Sequence, residues 1–361
     1  MKKIKCFVLA AAMLLSLTAC GQPKGAGKVV YAMDTVMNLT AYGKDAETAL
    51  DEAEQALYAL DKLLDRHDAN SAVSALNRGE TVTVSPDSGT VYVSNLLMLG
   101  DFLRSLTGGA FDTTLAGVLE AWGFGTEQPR VPSDTELAEL LKGCGSAESF
   151  QRDGETITLA NSVQIDLGGI AKGYAGSLVR NIFLTHDCTG VIDLGGDVML
   201  VGKKADGSDW RIAVKDPNEP SSFLGTLTAS GCAVVTSGIY ERNFEQDGVT
   251  YHHIIDPETG KPAESGLVSA TVICTEGAYA DALSTAVFIM GAERALAFYH
   301  AMQSPEAASL QASPFGDDLS FEMLLVTDDG RVLYTPSLDG KFEPNTESGY
   351  TYEKLPPALA K

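Results

Sequence analysis

The stretch Asp166-Leu-Gly-Gly-Ile-Ala-Lys-Gly-Tyr174 combines an acid, paired glycines and a lysine set among small residues. An apolar run at residues 162–165 leads into it. This order predicts a strand, a tight turn and the start of a helix. The N–H groups of such a helix start can approach a phosphate, with Lys172 close by. The same residues also fit an ordinary strand-to-helix turn with an exposed lysine, so the rest of the chain has to decide between the two.

The N-terminus has the pattern of a secretory signal. Lysines at positions 2, 3 and 5 precede an apolar run at 7–17 that is too short to span a bilayer comfortably. Leu17-Thr-Ala-Cys20-Gly resembles a bacterial lipobox, which implies a diacylglycerol with fatty-acyl chains such as palmitate on the Cys20 sulfur. We therefore expect a signal peptide at 1–19, a lipidated Cys20 with a flexible tether at 20–28, and a single functional domain at 29–361. The alternative is an ordinary secretory signal with an incidental cysteine.

These features place the body of the protein outside the cytoplasm, anchored to a bacterial membrane through a lipid with two acyl chains. Loss of residues 1–19 would remove three lysines and no acid, so the formal charge would move from −22 to −25. Such a charge argues against nucleic acid as a partner. A phosphorylated ligand would need local lysines or a metal ion. Besides Cys20, the body has four isolated cysteines, which are expected to be mostly buried thiols, with a disulfide left open: Cys144, Cys188, Cys232 and Cys274.

Hydrophobic periodicity predicts helices early in the chain and strands later. The predicted helices cover residues 45–64, 88–106, 171–184, 278–290 and 292–301, and another begins at the capping box Ser133-Asp-Thr-Glu136. The predicted strands cover residues 29–42, 191–202, 210–214, 224–228, 232–236 and 267–274, before a closing hairpin at 321–334. This order favours an α+β fold over a regular βαβ repeat.

Two further stretches contain residues suited to catalysis. His252-His253 lies before a rigid Asp-Pro-Glu-Thr-Gly turn, and an imidazole can move a proton near neutral pH. Asp281 and Thr285 are four residues apart and so share one helix face, where both could reach a hard cation such as Mg²⁺. The alternatives are a structural histidine pair and an aspartate that only stabilises a helix N-terminus.

Taken in order, these segments resemble the ApbE family, the FAD:protein FMN transferases. The resemblance extends from position 33 to about position 302 and implies an α+β, two-lobed fold with FAD bound in the cleft between the lobes. The motifs that carry it are Met33-Asp-Thr35, Leu76-Asn77, Gly109-Ala-Phe-Asp112-Thr-Thr, Trp122-Gly-Phe-Gly125, Asp166-Leu-Gly-Gly-Ile-Ala-Lys-Gly-Tyr174, Asp193-Leu-Gly-Gly-Asp197, Thr236-Ser-Gly-Ile-Tyr-Glu-Arg242, His253-Ile-Ile-Asp-Pro-Glu-Thr-Gly260 and Asp281-Ala-Leu-Ser-Thr285.

The resemblance implies roles for single residues. His253 and Asp281 are the expected catalytic residues, and Mg²⁺ is expected at Asp281, Thr285 and the carbonyl of Ala171. The reaction would transfer FMN from FAD to a Thr or Ser hydroxyl of an acceptor flavoprotein subunit and release AMP. The alternatives are a pyrophosphatase that cleaves FAD to FMN and AMP, and a flavin-binding lipoprotein without catalysis. The expected FAD contacts are Met33, Ala110, Phe111, Asp112, Asp166, Lys172, Tyr174 and Ile254.

Three positions differ from the family pattern. Asp34 replaces a glycine that is frequent in Met-Gly-Thr, and Ser177 stands where an acid is common. Asp65-Arg-His67 replaces a frequent Ser-x-Tyr before Ser71. These differences affect the expected adenine and ribose contacts and leave the residues for the metal and the pyrophosphate in place.

Overall fold

The computed structural model describes residues 25–145, 148–160, 163–219, 221–304 and 319–357. Cys20 and the predicted signal peptide lie outside this part of the chain. The helices are α1 (Ala46–Leu64), α2 (Ala72–Asn77), α3 (Thr90–Leu106), α4 (Ala116–Trp122), α5 (Asp134–Leu140), α6 (Gly168–Thr185) and α7 (Gly277–Met302), with short 3-10 turns at Leu141–Gly143 and Pro336–Leu338.

Most of the strands in the described part of the chain follow α6, with eight in succession between α6 and α7. The strands are β1 (Gly25–Ala32), β2 (Thr35–Tyr42), β3 (Val82–Thr83), β4 (Phe150–Asp153), β5 (Thr156–Leu159), β6 (Thr189–Asp193), β7 (Val198–Val201), β8 (Trp210–Lys215), β9 (Phe223–Ala229), β10 (Ala233–Gly238), β11 (Asn243–Gln246), β12 (Val249–His252), β13 (Leu267–Cys274), β14 (Phe321–Thr327), β15 (Arg331–Tyr334), β16 (Phe342–Pro344) and β17 (Thr351–Lys354).

A nine-stranded sheet with the order β1-β2-β6-β7-β10-β13-β14-β15-β17 forms the framework. Helices α1, α6 and α7 pack on one face of this sheet, where they build the main core. A three-stranded sheet, β16-β9-β8, shares a second core with the other face. Strand β13 is therefore covered on both sides and is almost entirely buried. The α+β prediction is confirmed.

The predicted strand at 29–42 is wrong, because the chain reverses at Met33 and Asp34. Both residues have positive φ, 49° and 58°, and Ala32 pairs directly with Thr35. Two left-handed residues between paired strands make a tight hairpin turn whose twist matches that of its strands. Asp34 thus stands at a position whose backbone favours glycine, and aspartate is among the residues that tolerate it. β1 also starts at Gly25, so residues 25–28, expected to be tether, belong to a strand.

Residues 163–165 of the apolar lead-in to Asp166 do not form the predicted strand, and position 162 lies outside the described residues. The Asn77 side chain replaces the missing strand partner: its Nδ2 donates to the Ile165 carbonyl (2.9 Å), and its Oδ1 accepts from the Ile165 N–H (2.8 Å). The Asp166 N–H donates to the Thr113 carbonyl at 2.8 Å. One asparagine therefore fixes the chain just before α6.

Helices α6 and α7 touch through glycine backbones. A Cβ on Gly173 would lie 2.1 Å from the Gly277 carbonyl oxygen, and one on Gly277 would lie 2.2 Å from that of Gly173. Ser177 reinforces the contact, because its Oγ accepts from the Gly277 N–H at 3.0 Å. No larger residue fits at this crossing.

Helix α7 is long and apolar enough to cross a membrane by length and composition, and it is the one such helix in the described part of the chain. Most of it is buried against the sheet and α6. Its backbone is non-helical at Gly291, which confirms the predicted break there. Cys144, Cys188 and Cys232 are free thiols, and Cys188, Cys232 and Cys274 are buried.

A candidate active site in the cleft

A cleft of about 1320 Å³ collects nearly all the residues that the sequence predicts for a site. The β1–β2 turn, the loop before α4, the start of α6 and the middle of α7 all border it. The predicted residues that line it are Met33, Ala110, Phe111, Asp112, Asp166, Ala171, Lys172, His253, Ile254, Asp281 and Thr285.

The α6–α7 crossing brings together the acid and the lysine at the centre of this cleft. Asp281 is only 4% exposed, and its Oδ2 accepts a hydrogen bond from the Gly173 N–H at 2.9 Å. Lys172 precedes Gly173 in the chain, and its Nζ forms an ion pair with Asp197, which is also buried. The two glycine-rich motifs and the Asp281 helix therefore meet at one point.

The charges at this point do not balance. Burial raises the pKa of Asp281 to about 7, with Lys172 opposing the shift and Asp197 adding to it. Burial lowers the pKa of Lys172, but Asp197 and Asp281 outweigh it and hold this pKa above its ordinary value. Lys172 thus stays charged, and a further cation would stabilise the ionised form of Asp281.

The donors around Asp281 suit a hard cation. Thr285 lies one turn along the same helix, and its Oγ1 is 3.2 Å from Ser237 Oγ. Within the described ranges, no three His, Cys, Asp or Glu side chains cluster into a metal site. An ion here would rest on one carboxylate, a hydroxyl and a carbonyl such as that of Ala171. Few protein oxygens, with water and phosphate completing the shell, are what Mg²⁺ requires.

His253 borders the cleft on the other side, where it is half-buried. Its backbone N–H donates to the Arg242 carbonyl at 3.0 Å, and its Nδ1 lies 3.2 Å from the same oxygen. A carbonyl accepts only, so the proton belongs on Nδ1 and leaves Nε2 as a free acceptor. Burial, followed by the charge of Arg242, lowers the pKa of His253 to about 4. The ring is therefore neutral at neutral pH and able to take a proton.

Asp112 and Phe111 have different roles in their loop. The Asp112 carboxylate is buried and accepts from Arg104 Nε (3.0 Å), the Thr114 N–H (2.7 Å) and Thr114 Oγ1 (2.6 Å). It holds the loop in shape. Phe111 packs closely under Gly169, where a Cβ would lie 3.2 Å from Phe111 Cε2. The loop thus supports the first turn of α6.

Arg66 is a cleft residue that the motif analysis did not single out. Its Nε lies 2.7 Å from Asp166 Oδ2, and both side chains are mostly buried. Asp166 Oδ1 accepts from the Gly168 N–H at 2.7 Å, so the same carboxylate binds the first N–H of α6. The sequence did mark this region, because residues 65–67 differ from the family pattern. All three line the cleft.

Tyr174 is the predicted FAD contact that the structure does not bring to the cleft. Residues two apart on a helix point to nearly opposite sides, so Tyr174 turns away when Lys172 faces the cleft. Its ring packs against Tyr92 of α3, with 6.0 Å between centroids. Ser177 also lies away from the cleft, at the start of α7. The departure at Ser177 therefore does not touch the site.

An aromatic cluster holds the loop after His253. Trp122 Nε1 donates to the Gly260 carbonyl at 2.8 Å. The Trp122 ring stacks on Phe124 at 5.6 Å and lies 5.4 Å from Tyr251 of β12. Phe124 also lines the cleft. The Trp122-Gly-Phe-Gly125 motif is thus a support for the histidine side of the site.

Comparisons with known proteins agree with this arrangement. The ApbE family model matches residues 33–309. The FAD:protein FMN transferase of Vibrio cholerae is 30% identical over 347 residues, with 92% of this chain and 97% of that protein covered. The one from Treponema pallidum is 32% identical over 284 residues, covering 73% of this chain and 78% of that protein.

Two crystal structures give the same result for the fold. The ApbE protein of Thermotoga maritima aligns with a TM-score of 0.74 at 31% identity, covering 88% of this chain and 99% of its own. The apo form of the flavinyl transferase ApbE from Pseudomonas stutzeri gives 0.74 at 28% identity, covering 90% of this chain and 98% of its own. The family match, the relatives and the shared fold together show that this chain belongs to the ApbE family.

Proposed function

We propose that this protein transfers FMN from FAD to a Thr or Ser hydroxyl of an acceptor flavoprotein subunit, in a Mg²⁺-dependent reaction that releases AMP. Its curated relatives are FAD:protein FMN transferases, and the chain is an enzyme of the transferase class. The observation that carries the proposal is the convergence of Asp281, Lys172 and His253 on one cleft at the start of α6.

The residues of the cleft supply what the transfer of a phosphoryl-linked group needs. The N-terminal end of α6 and Lys172 attract the pyrophosphate. Asp281, Thr285 and the Ala171 carbonyl would hold Mg²⁺, which when bound supplies positive charge against the phosphates. Catalysis of such transfers rests mainly on positioning and on charge neutralisation.

His253 would act as the base. The acceptor hydroxyl oxygen forms a bond to the FMN-side phosphorus, the bond from this phosphorus to the bridging oxygen breaks, and AMP leaves. The hydroxyl proton passes to Nε2 of His253, which is neutral near pH 7. Water in place of the hydroxyl would give FMN and AMP instead.

We also propose that the chain is anchored outside the cytoplasm by a lipid on Cys20. β1 begins five residues after this cysteine, so the connection is at most about 18 Å long at roughly 3.6 Å per residue. Metabolic labelling with a fatty acid analogue tests the proposal, because label on the wild type and none on Cys20→Ser supports it. Label on both proteins contradicts it.

The experiment for the activity is incubation with FAD, Mg²⁺ and an acceptor flavoprotein subunit, followed by mass spectrometry and AMP measurement. An adduct of FMN mass on a Thr or Ser supports the transferase. AMP without an adduct identifies a pyrophosphatase. Flavin binding with neither product identifies a non-catalytic flavin-binding protein and contradicts the proposal.

A further inference from the structure

Strand β8 is the outermost strand of its sheet. The order is β16-β9-β8, so β8 pairs with β9 on one side and with no other described strand on the second side. Every second residue of an edge strand directs its N–H and C=O groups away from its partner. Such a row of groups is a ready template for another strand.

This edge borders the cleft that holds Lys172 and His253. Four consecutive residues of β8, Ile212-Ala-Val-Lys215, line the cleft. Side chains alternate between the two faces of a strand, so a single face would contribute only every second residue. β8 therefore presents its edge to the cavity.

The middle of this edge lacks the usual protection. Proteins block edge strands with free charges, prolines or bulges. In β8 the charged residues stand near the ends and have their own contacts: Arg211 pairs with Glu343 (2.7 Å), and Lys215 Nζ lies 4.8 Å from the Tyr240 ring. The one register shift lies between Val214 and Lys215. The apolar centre at 212–214 carries no such block.

The cleft is large, and the flavin substrate proposed for it would take up part of it. Its volume of about 1320 Å³ exceeds the roughly 300–1,000 Å³ of typical small-molecule sites. The β8 edge borders this cleft, so a chain paired with β8 would lie along the same cleft as Lys172 and His253.

We propose that an extended segment of the acceptor protein, carrying the Thr or Ser to be flavinylated, pairs with β8 as an added strand. Main-chain hydrogen bonds would give affinity, and side chains at alternate positions would give specificity. The pairing would hold the hydroxyl on the His253 side of the cleft. This proposal rests on the proposed function, since it names how that reaction's acceptor is held.

The test uses the full protein with FAD present and a pool of twelve-residue peptides that each carry one central threonine. The tightest-binding peptide of the pool is the probe. Hydrogen–deuterium exchange is expected to slow at least tenfold in residues 212–215 when the probe binds. Protection confined to other segments would overturn the proposal.

A second measurement examines the probe itself. N-methylation of its backbone amides, one at a time, is expected to weaken binding at least tenfold at alternate positions and little in between. Equal effects at neighbouring positions, or none, contradict strand addition. The FMN adduct is scored separately. Protection of β8 without an adduct supports strand addition and rejects the transferase. An adduct without protection of β8 supports the transferase and rejects strand addition. If neither protection nor an adduct is seen, both proposals are rejected.

Variants provide the matched control. Neighbouring residues direct their N–H groups in opposite directions, so one of Ile212→Pro and Ala213→Pro removes an edge donor and the other breaks a bond to β9. The edge variant is expected to keep its unfolding temperature and to bind the probe at least tenfold more weakly. The other proline variant, which loses a bond to β9, is expected to unfold at a lower temperature and so provides the comparison. Unchanged probe binding in both proline variants would contradict the proposal.

Discussion

The backbone N–H of Gly173 donates to Asp281 Oδ2 across 108 positions of sequence. The bond exists because the two helices touch through the backbones of Gly173 and Gly277. It ties the glycine-rich start of α6 to the carboxylate on α7. The structure and the chemistry of the site therefore depend on the same contact.

Gly173→Ala is expected to destabilise the protein by at least about 3 kcal/mol, since the new Cβ would lie 2.1 Å from the Gly277 carbonyl oxygen and the helices would have to separate. Urea unfolding measures this. Gly176→Ala is the control on the same helix, where a Cβ meets atoms no closer than 3.6 Å. This control should stabilise by roughly 0.5–1 kcal/mol. Equal stability of the two variants would contradict the close backbone contact between α6 and α7.

Asp281→Asn is expected to lower Mg²⁺-dependent AMP release from FAD by about 100-fold or more, because it removes the one carboxylate proposed as a metal ligand. The amide oxygen can still accept from Gly173, so the unfolding temperature should change little. Rates are measured over a Mg²⁺ titration. A variant that still saturates with Mg²⁺ at the wild-type rate would exclude Asp281 as a ligand.

The pH dependence should show the lowered pKa of His253, about 4 against an ordinary 6.5. The His253 imidazole becomes protonated near pH 6.5 in the unfolded chain and only near pH 4 in the folded protein. The contribution of His253 to stability is thus present above pH 6.5 and is lost as the pH falls from 6.5 towards 4. The urea midpoint should therefore fall more between pH 7 and pH 5 for the wild type than for His253→Gln.

The pH dependence of the transfer rate also reports on the His253 imidazole. If His253 is the base, the acid limb of kcat/KM that belongs to it should lie near pH 4, and His253→Gln should lose transfer while FAD still binds. FAD affinity is read from flavin fluorescence. Loss of FAD binding with normal turnover of the bound fraction would identify His253 as a ligand contact only.

Asn77→Ala should destabilise the protein by about 2–4 kcal/mol, because both backbone groups of Ile165 lose their partner. Thermal unfolding measures the loss. Asn77→Asp retains the acceptor and lacks the donor, so it should fall between the wild type and the alanine variant. If the two variants were equally stable, the Ile165 carbonyl would have another partner.

The sequence predicted what depends on local pattern. The long helix α1, the Ser133 cap of α5 and the break at Gly291 follow from spacing, capping and glycine chemistry. Eleven of the twelve residues that the family motifs predict for the site line one cleft. Residues in motifs can be recognised before their neighbours in space are known.

The errors arose where the hydrophobic pattern and the motifs carry no signal for the local turn, the helix face or the distant contact. Alternation runs on through Met33 and Asp34, so nothing in the pattern marked the hairpin turn. The lead-in to α6 has strand-like residues, but a side chain from α2 takes the place of a strand. Tyr174 adjoined a correct motif and was assigned with it, although helix geometry turns it towards α3. The Arg66–Asp166 pair joins segments that are 100 residues apart.

The glycine contact between α6 and α7 also has an evolutionary consequence. It holds Lys172, Asp281 and Thr285 in one rigid block, while Asp65 and His67 reach the cleft from the end of α1. Asp65 and His67 can be replaced without touching the glycine contact, whereas a larger residue at Gly173 or Gly277 is barred sterically. Variation where the end of α1 borders the cleft is thereby separated from the contact that positions Asp281.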